Sequence, residues 1–153
     1  RSLVSYLEDH SDAPLMDLQL AVRAFLEAPS INRGGQPIQF EFLGMERAVL
    51  LSQDVGWNIL RIVQQAVRNA IFHASPESVT VQILRNNASH LLVRIEDDGC
   101  GFDVAAVTAG EASRHHFGLT GMRHRSQILG GEIEIHSRVG QGTTVLLTMP
   151  LDA

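Results

Sequence analysis

A chain of 153 residues, 44% hydrophobic and 19% charged, has room for one domain with a real core and is neither disordered nor fibrous in composition. Its 12 basic residues against 17 acidic ones leave a net charge of −5, which argues against a general nucleic-acid or anionic-membrane binder. All 12 basic residues are arginine, which excludes chemistry that needs a lysine amine, and the single cysteine, Cys100, excludes an intrachain disulfide and fits a reducing compartment.

Residues 1–13 are polar and mixed and read as the remnant of an upstream helix or linker, leaving 14–153 as the domain. No 18-residue apolar run marks a membrane span. Leu15, Leu18, Val22, Phe25 and Leu26 recur at helical spacing, and Asp12 and Pro14 suit the start of that helix. Asn32-Arg33-Gly34-Gly35 is a loop, and Ile38, Phe40 and Phe42 alternate with polar residues as a strand does. A long helix is predicted from about 54 to 73, with Val55, Ile59, Val63, Ala66 and Ala70 on one face and Ser75-Pro76 ending it. Val79, Val81 and Ile83 form a strand, Asn86-Asn87 a turn, and Leu91, Val93 and Ile95 a second strand running into Asp97. After an irregular stretch over 99–117, a short helix over about 118–129 stops at Gly130-Gly131. Two strands close the chain, carrying Ile133 and Ile135, then Val145, Leu147 and Met149. The pattern predicts an α+β two-layer sandwich, its sheet mostly antiparallel and its helices on one face.

Four features carry candidate chemistry. Alternation puts Asp97, in Asp97-Asp98-Gly99-Cys100-Gly101, on the apolar face of its strand, where a carboxylate is costly unless paired. Such a carboxylate can accept a hydrogen bond from an exocyclic amine in an apolar slot, or it can cap a tight turn. On the long helix Gln65 and Asn69 stand at i, i+4, and His73 continues the row. Amide oxygens there could serve a hard cation such as Mg²⁺, or the row could be a solvated stripe. Gly118, Leu119 and Gly121 lie where a helix starts and can offer free N–H groups to phosphate. Gly140-Gln141-Gly142-Thr143 is a tight turn into the last strand. No dinucleotide fingerprint and no zinc-ligand spacing is present.

In this order the four features resemble the boxes of the Bergerat-type ATP-binding fold shared by type II topoisomerases, ninety-kilodalton heat-shock chaperones, histidine kinases and mismatch-repair ATPases. Arg61-Ile62-Val63-Gln64-Gln65-Ala66-Val67-Arg68-Asn69-Ala70 resembles the N box of bacterial sensor histidine kinases of the nitrate-sensor-like subgroup. Asp97-Asp98-Gly99-Cys100-Gly101 is similar to the first glycine box, His116-Phe117-Gly118-Leu119-Thr120-Gly121-Met122-Arg123 to the second, and Gly140-Gln141-Gly142-Thr143 to the third. The resemblance covers about 15–150. It implies ATP and Mg²⁺ as cofactors, with Asp97 reading the adenine amine, Gly99 and Gly101 lining the base pocket and Thr143 closing the adenine side. It further implies that Asn69 holds Mg²⁺, that Gly118, Leu119 and Gly121 hold the phosphates with help from His73 and an arginine such as Arg123 or Arg68, and that 103–116 form a lid. Asn69 and Gln65 then occupy the catalytic positions.

Two positions depart from the pattern. Gln65 stands where Glu is usual and cannot act as a general base, which counts against the hydrolases of the superfamily more than against a kinase. Phe72 stands where Lys is common. The implied activity is transfer of the γ-phosphate of ATP to a histidine on a separate dimerisation domain, with a helix-turn-helix response regulator downstream and no contact with nucleic acid or membrane. None of the seven histidines sits in an acceptor motif, so the chain is expected to bind ATP with Mg²⁺ without phosphorylating itself, at a cytoplasmic address. A degenerate nucleotide-binding regulatory module and an anti-sigma-factor-type serine kinase remain as other readings of the same fold.

Overall fold

The computed structural model of the chain describes residues 14–32, 37–87, 89–105 and 118–151. The expected upstream remnant at 1–13 and most of the expected loop at 32–35 lie outside them. The first helix begins later than its spacing suggests. Leu15–Asp17 is a short strand, β1, and helix α1 spans Leu18–Glu27. The cause is Asp17, whose side chain accepts a hydrogen bond from Leu20 N at 3.2 Å and caps the helix there. β1 then pairs antiparallel with β3 (Leu50–Ser52), Leu15 opposite Ser52. Leu18, Val22 and Leu26 fall on the buried side of α1. Gln19 is buried beside them and is fully used: its Nε2 donates to Met45 O at 3.2 Å and Arg47 O at 2.8 Å, and its Oε1 accepts from Met45 N at 2.6 Å. The loop after β2 (Gln39–Leu43) is thereby tied to α1.

Helix α2 spans Gln53–Asn69. Ser52 Oγ accepts from Val55 N at 3.3 Å, and Asp54 in the first turn and Arg68 in the last complement the helix dipole. Ile59, Ile62, Val63 and Val67 are wholly buried, each contributing about 1.5–3 kcal/mol through removal of apolar surface from water. Where an unbroken helix to His73 was expected, the α-helical hydrogen bonding stops at Asn69 and Ala70–Ala74 continue as a π turn. Ser75, with φ 46°, ends it.

The remaining elements are β4 (Ser78–Arg85), β5 (His90–Asp97), helix α3 (Leu119–Ile128), β6 (Glu132–Ser137) and β7 (Thr143–Pro150). The five-stranded sheet runs β2-β4-β5-β7-β6, with β2 parallel to β4 and the other pairs antiparallel. This is the two-layer α+β arrangement that the alternating strands and the two longer helices predicted. Register aligns side chains into rows across the sheet. Val81, Ile95, Val145 and Ile135 form a buried apolar row. The next row is Val79, Asp97, Thr143 and Ser137. One end of an otherwise apolar face therefore becomes polar at β5, β7 and β6.

Candidate functional site

That polar end opens into a pocket between the sheet and the helices. The sheet contributes Ile95, Asp97, Ile135, Thr143 and Val145 to its walls, and α2 with its π turn contributes Ala66, Asn69, His73 and Ala74. Leu119 and Met122 of α3 and the loop residues Gly101 and Phe102 complete it.

Asp97 is 9% exposed. Its Oδ1 accepts from Gly99 N at 2.8 Å, and among the described residues its other oxygen has no partner. Burial pushes its carboxyl above the ordinary value; the Gly99 bond opposes this, and the charges of Asp98 and Glu96 add to the rise. A buried carboxyl with a spare acceptor at the foot of an apolar slot suits a flat ligand that carries an N–H donor. Asp98 serves the fold instead. Its Oδ1 accepts from Glu77 N at 2.8 Å and Ser78 N at 2.9 Å, its Oδ2 from Ser78 Oγ at 3.0 Å, and the bond from Ser78 N leads in holding its carboxyl below the usual range.

The turn after β5 and the turn before β7 are locked together. Gly140 N donates to Cys100 O at 2.6 Å, and Phe102 N to Ser137 Oγ at 2.8 Å. Ser137 Oγ lies 2.7 Å from Thr143 Oγ1 and donates to Gly142 O at 3.1 Å. Gly101 and Gly142 have φ of 63° and 80°, and a Cβ on either would strike facing backbone: Arg138 O for Gly101, Asp97 O for Gly142. Gly99 departs from its expected place. It does not line the pocket but lies against the π turn, where a Cβ would strike Ala74 O. The reason is the bond from Cys100 N to Ala74 O at 2.8 Å, with Cys100 Sγ 3.4 Å from His73 O, which draws this segment onto the end of the helix.

On the opposite wall Gln65 and Asn69 stand one turn apart as their spacing requires, and Gln65 Nε2 donates to Asn69 Oδ1 at 3.0 Å. Gln65 also packs on Gly118, where a Cβ would lie 2.6 Å from its Cδ. Gly118, with φ 57°, begins α3 without a side-chain cap, so the first N–H groups of the helix are not taken by one. Gly121 has no positive φ, and among the described residues no other part of the chain comes within 4 Å of a built Cβ, so neither turn geometry nor packing against them accounts for it. Arg123 lines neither this pocket nor the groove beside it, whereas Arg68 lines the groove. The cause is helical phase. Met122 faces inward, and the next residue is rotated by about 100° from it. Phe117, His116 and all but the first three residues of the expected lid at 103–116 lie outside the described residues.

Sequence reasoning missed Ser137 and Phe102. Ser137 was within reach, since the alternation Ile133, Ile135 extends to it by a period of two.

Comparison with known proteins follows the same outline. The family described as histidine kinase-, DNA gyrase B- and HSP90-like ATPase matches residues 57–153. An uncharacterized sensor-like histidine kinase of Chloroflexus aurantiacus is 32% identical over 136 residues, which cover 89% of this chain and 23% of that protein. The signal transduction histidine-protein kinase/phosphatase DegS of Bacillus subtilis is 31% identical over 130 residues, 85% of this chain and 33% of DegS. The chain thus spans a quarter to a third of these relatives. The solved histidine kinase domain of the Erythrobacter litoralis blue-light activated histidine kinase superposes with a TM-score of 0.70 at 23% identity, over 89% of this chain and 62% of that one, a likeness of fold.

Proposed function

We propose, for a chain that belongs to the histidine kinase-, DNA gyrase B- and HSP90-like ATPase family, that it is the ATP-binding catalytic domain of a sensor histidine kinase. The observation that carries the reading is Asp97, buried at the polar end of an apolar slot with one acceptor oxygen unused among the described residues. The exocyclic amine of adenine matches that oxygen, with Gly101 and Thr143 at the same end. Asn69 and His73 lie on the helix wall, and the uncapped start of α3 at Gly118 and Leu119, with open space at Gly121, suits phosphate.

Mg²⁺ fits the donor set. It prefers few protein oxygens and keeps phosphate and water as its other ligands, and Asn69, whose side chain carries an amide oxygen, lines the pocket. When bound it would neutralise charge on the transferring phosphoryl group. The residues of this chain orient the nucleotide, and the acceptor histidine comes from a dimerisation domain outside the chain. In the transfer the bond from the γ-phosphorus to the ADP oxygen breaks and a phosphorus–nitrogen bond to that histidine forms, with a response regulator as the onward acceptor. Such a domain works where ATP is, in the cytoplasm; among the described residues no helix is long and apolar enough to cross a membrane.

One observation favours the degenerate module as a second reading: Asn69 Oδ1 already accepts from Gln65, so the oxygen offered to a cation is shared. Calorimetric titration of ATP with and without Mg²⁺ separates the two. The catalytic reading expects micromolar-to-millimolar binding that tightens with Mg²⁺; binding indifferent to Mg²⁺ supports the degenerate module, and none at millimolar ATP rejects both.

Gly121→Ala tests the phosphate end separately. Alanine inside a helix stabilises by about 0.5–1 kcal/mol over glycine, so the thermal midpoint should rise. ATP affinity should fall, because the methyl fills space left open at the helix start. A variant both stabler and undiminished in affinity would remove Gly121 from the site.

A further inference from the structure

The hydroxyl protons at the polar end of the pocket are fixed by counting donors and acceptors. Ser137 Oγ meets three groups: Phe102 N at 2.8 Å, Gly142 O at 3.1 Å and Thr143 Oγ1 at 2.7 Å. A hydroxyl has one proton to give and two lone pairs with which to accept. A backbone N–H only donates and a carbonyl only accepts, so two of these contacts have a set direction. Ser137 accepts from Phe102 N and commits its proton to Gly142 O. Thr143 must then donate to Ser137, filling the second lone pair. All three contacts are satisfied in that arrangement and in no other.

The consequence falls on Thr143, which lines the pocket, whereas Ser137 does not. With its proton held by Ser137, the Thr143 oxygen has lone pairs to offer a ligand and no donor. Its partner across the β5–β7 ladder is Asp97, whose second oxygen is also an acceptor without a partner among the described residues. Opposed residues on one face of a sheet are close neighbours, so two acceptors stand side by side. Released from Ser137, the same proton could turn to the ligand or to Asp97. Either turn takes an acceptor away.

We propose that Ser137 is a positioning residue for base selection. By holding the Thr143 proton it keeps this end of the pocket acceptor-only, which favours a purine with an amine over one with a carbonyl at the same place. The inference rests on the reading of the Asp97 pocket as the adenine end of an ATP site. An amine has two protons and serves both oxygens, directly or through one bridging water. A carbonyl there sets lone pair against lone pair and leaves buried acceptors without a donor, which costs more than a missing bond. Ser137 acts from behind the wall, touching Thr143 and not the base.

Equilibrium titration of the 153-residue chain with ATP and with ITP, in Mg²⁺, tests it, because ITP carries a carbonyl where ATP carries the amine. The wild-type chain should prefer ATP by about 100-fold or more. In Ser137→Ala the ratio of the two affinities should fall about tenfold, and Ser137→Thr, which keeps a hydroxyl, should restore it. Ser137→Ala also loosens the clasp between the turns, but that effect lowers both affinities together and leaves their ratio alone. Thr143→Val removes the acceptor while Ser137 still binds Phe102 N and Gly142 O, and it decides the matter if the alanine variant does not fold. It should lower ATP affinity about tenfold with ITP affinity within about twofold. A ratio unchanged in Ser137→Ala or in Thr143→Val, with wild-type preference for ATP intact, would overturn the role of Ser137 and leave the pocket reading standing. A wild-type chain that binds neither nucleotide would reject the pocket reading and this one with it.

Discussion

Asp97→Asn is expected to weaken ATP binding by about 10- to 100-fold while leaving the thermal midpoint unchanged or higher. The split follows from the two oxygens of the carboxyl. Oδ1 accepts from Gly99 N at 2.8 Å, so in the asparagine variant the amide oxygen keeps that bond and the NH₂ group turns to the pocket. A donor then faces the donor of the adenine amine, and the loss combines a missing charge-assisted bond with a mismatch. Stability moves the other way. Burial raises the carboxyl above its ordinary value, so the folded state disfavours the ionised form. The sign is fixed by linkage: a folded value above the unfolded one makes ionised Asp97 a cost above the folded value, relieved as pH falls through it toward 3.8. An asparagine removes that cost at neutral pH. The same shift gives ATP affinity a pH dependence in the wild type, weakening as pH falls through the raised value, and the variant should not show it. Calorimetry across pH and a thermal melt measure both arms; an unchanged dissociation constant would remove the adenine assignment.

Asp98, next in the chain, shifts in the opposite sense because two backbone N–H groups and a hydroxyl serve its ionised form. Its contribution to stability is present above the unfolded value and is lost as pH falls through its lowered folded one. Adjacent carboxyls in one motif thus divide into a ligand-facing group and a structural one, and only the strand's alternation separates them in the sequence.

What could be read from the residues depended on the range over which each signal acts. Asp97 was legible because a period of two carries the face of Leu91, Val93 and Ile95 directly to it. The pairing of Asp97 with Thr143 was not, since it depends on the register between β5 and β7, which the interlocked turns set. The three-residue strands β1 and β3 are too short to show a period, so Leu15 was taken into the helix that Asp17 starts. The choice between Arg68 and Arg123 required knowing which side of α3 faces α2. With only Leu119, Met122 and Ser126 buried on α3, the apolar pattern of that helix says little about its orientation. A glycine is the most ambiguous residue of all: Gly99 yields to Ala74, Gly101 to the facing turn, and Gly121 to nothing among the described residues, yet all three look alike in a sequence.

That difference among glycines gives the second large effect. Gly101→Ala should destabilise the chain by about 2–5 kcal/mol and abolish measurable ATP binding. About 1–2 kcal/mol arises from placing an L side chain at φ 63°. The remainder comes from the clash with Arg138 O and Gly142 O, which forces apart the turns joined by Gly140 N to Cys100 O and Phe102 N to Ser137 Oγ; each bond lost costs about 0.5–1.5 kcal/mol. The thermal midpoint should fall by roughly 5–15 °C for a chain of this size. Binding fails with it because Asp97 and Thr143 hold their places through those turns. Gly140→Ala supplies the comparison. Gly140 also has a positive φ, 83°, but a Cβ there meets nothing within 4 Å among the described residues, so it should incur the conformational cost alone, with ATP binding retained. The difference between the two melting curves measures the clasp. If Gly101→Ala melts with Gly140→Ala, the turns yield without loss, and the wall that positions Asp97 is not held by them.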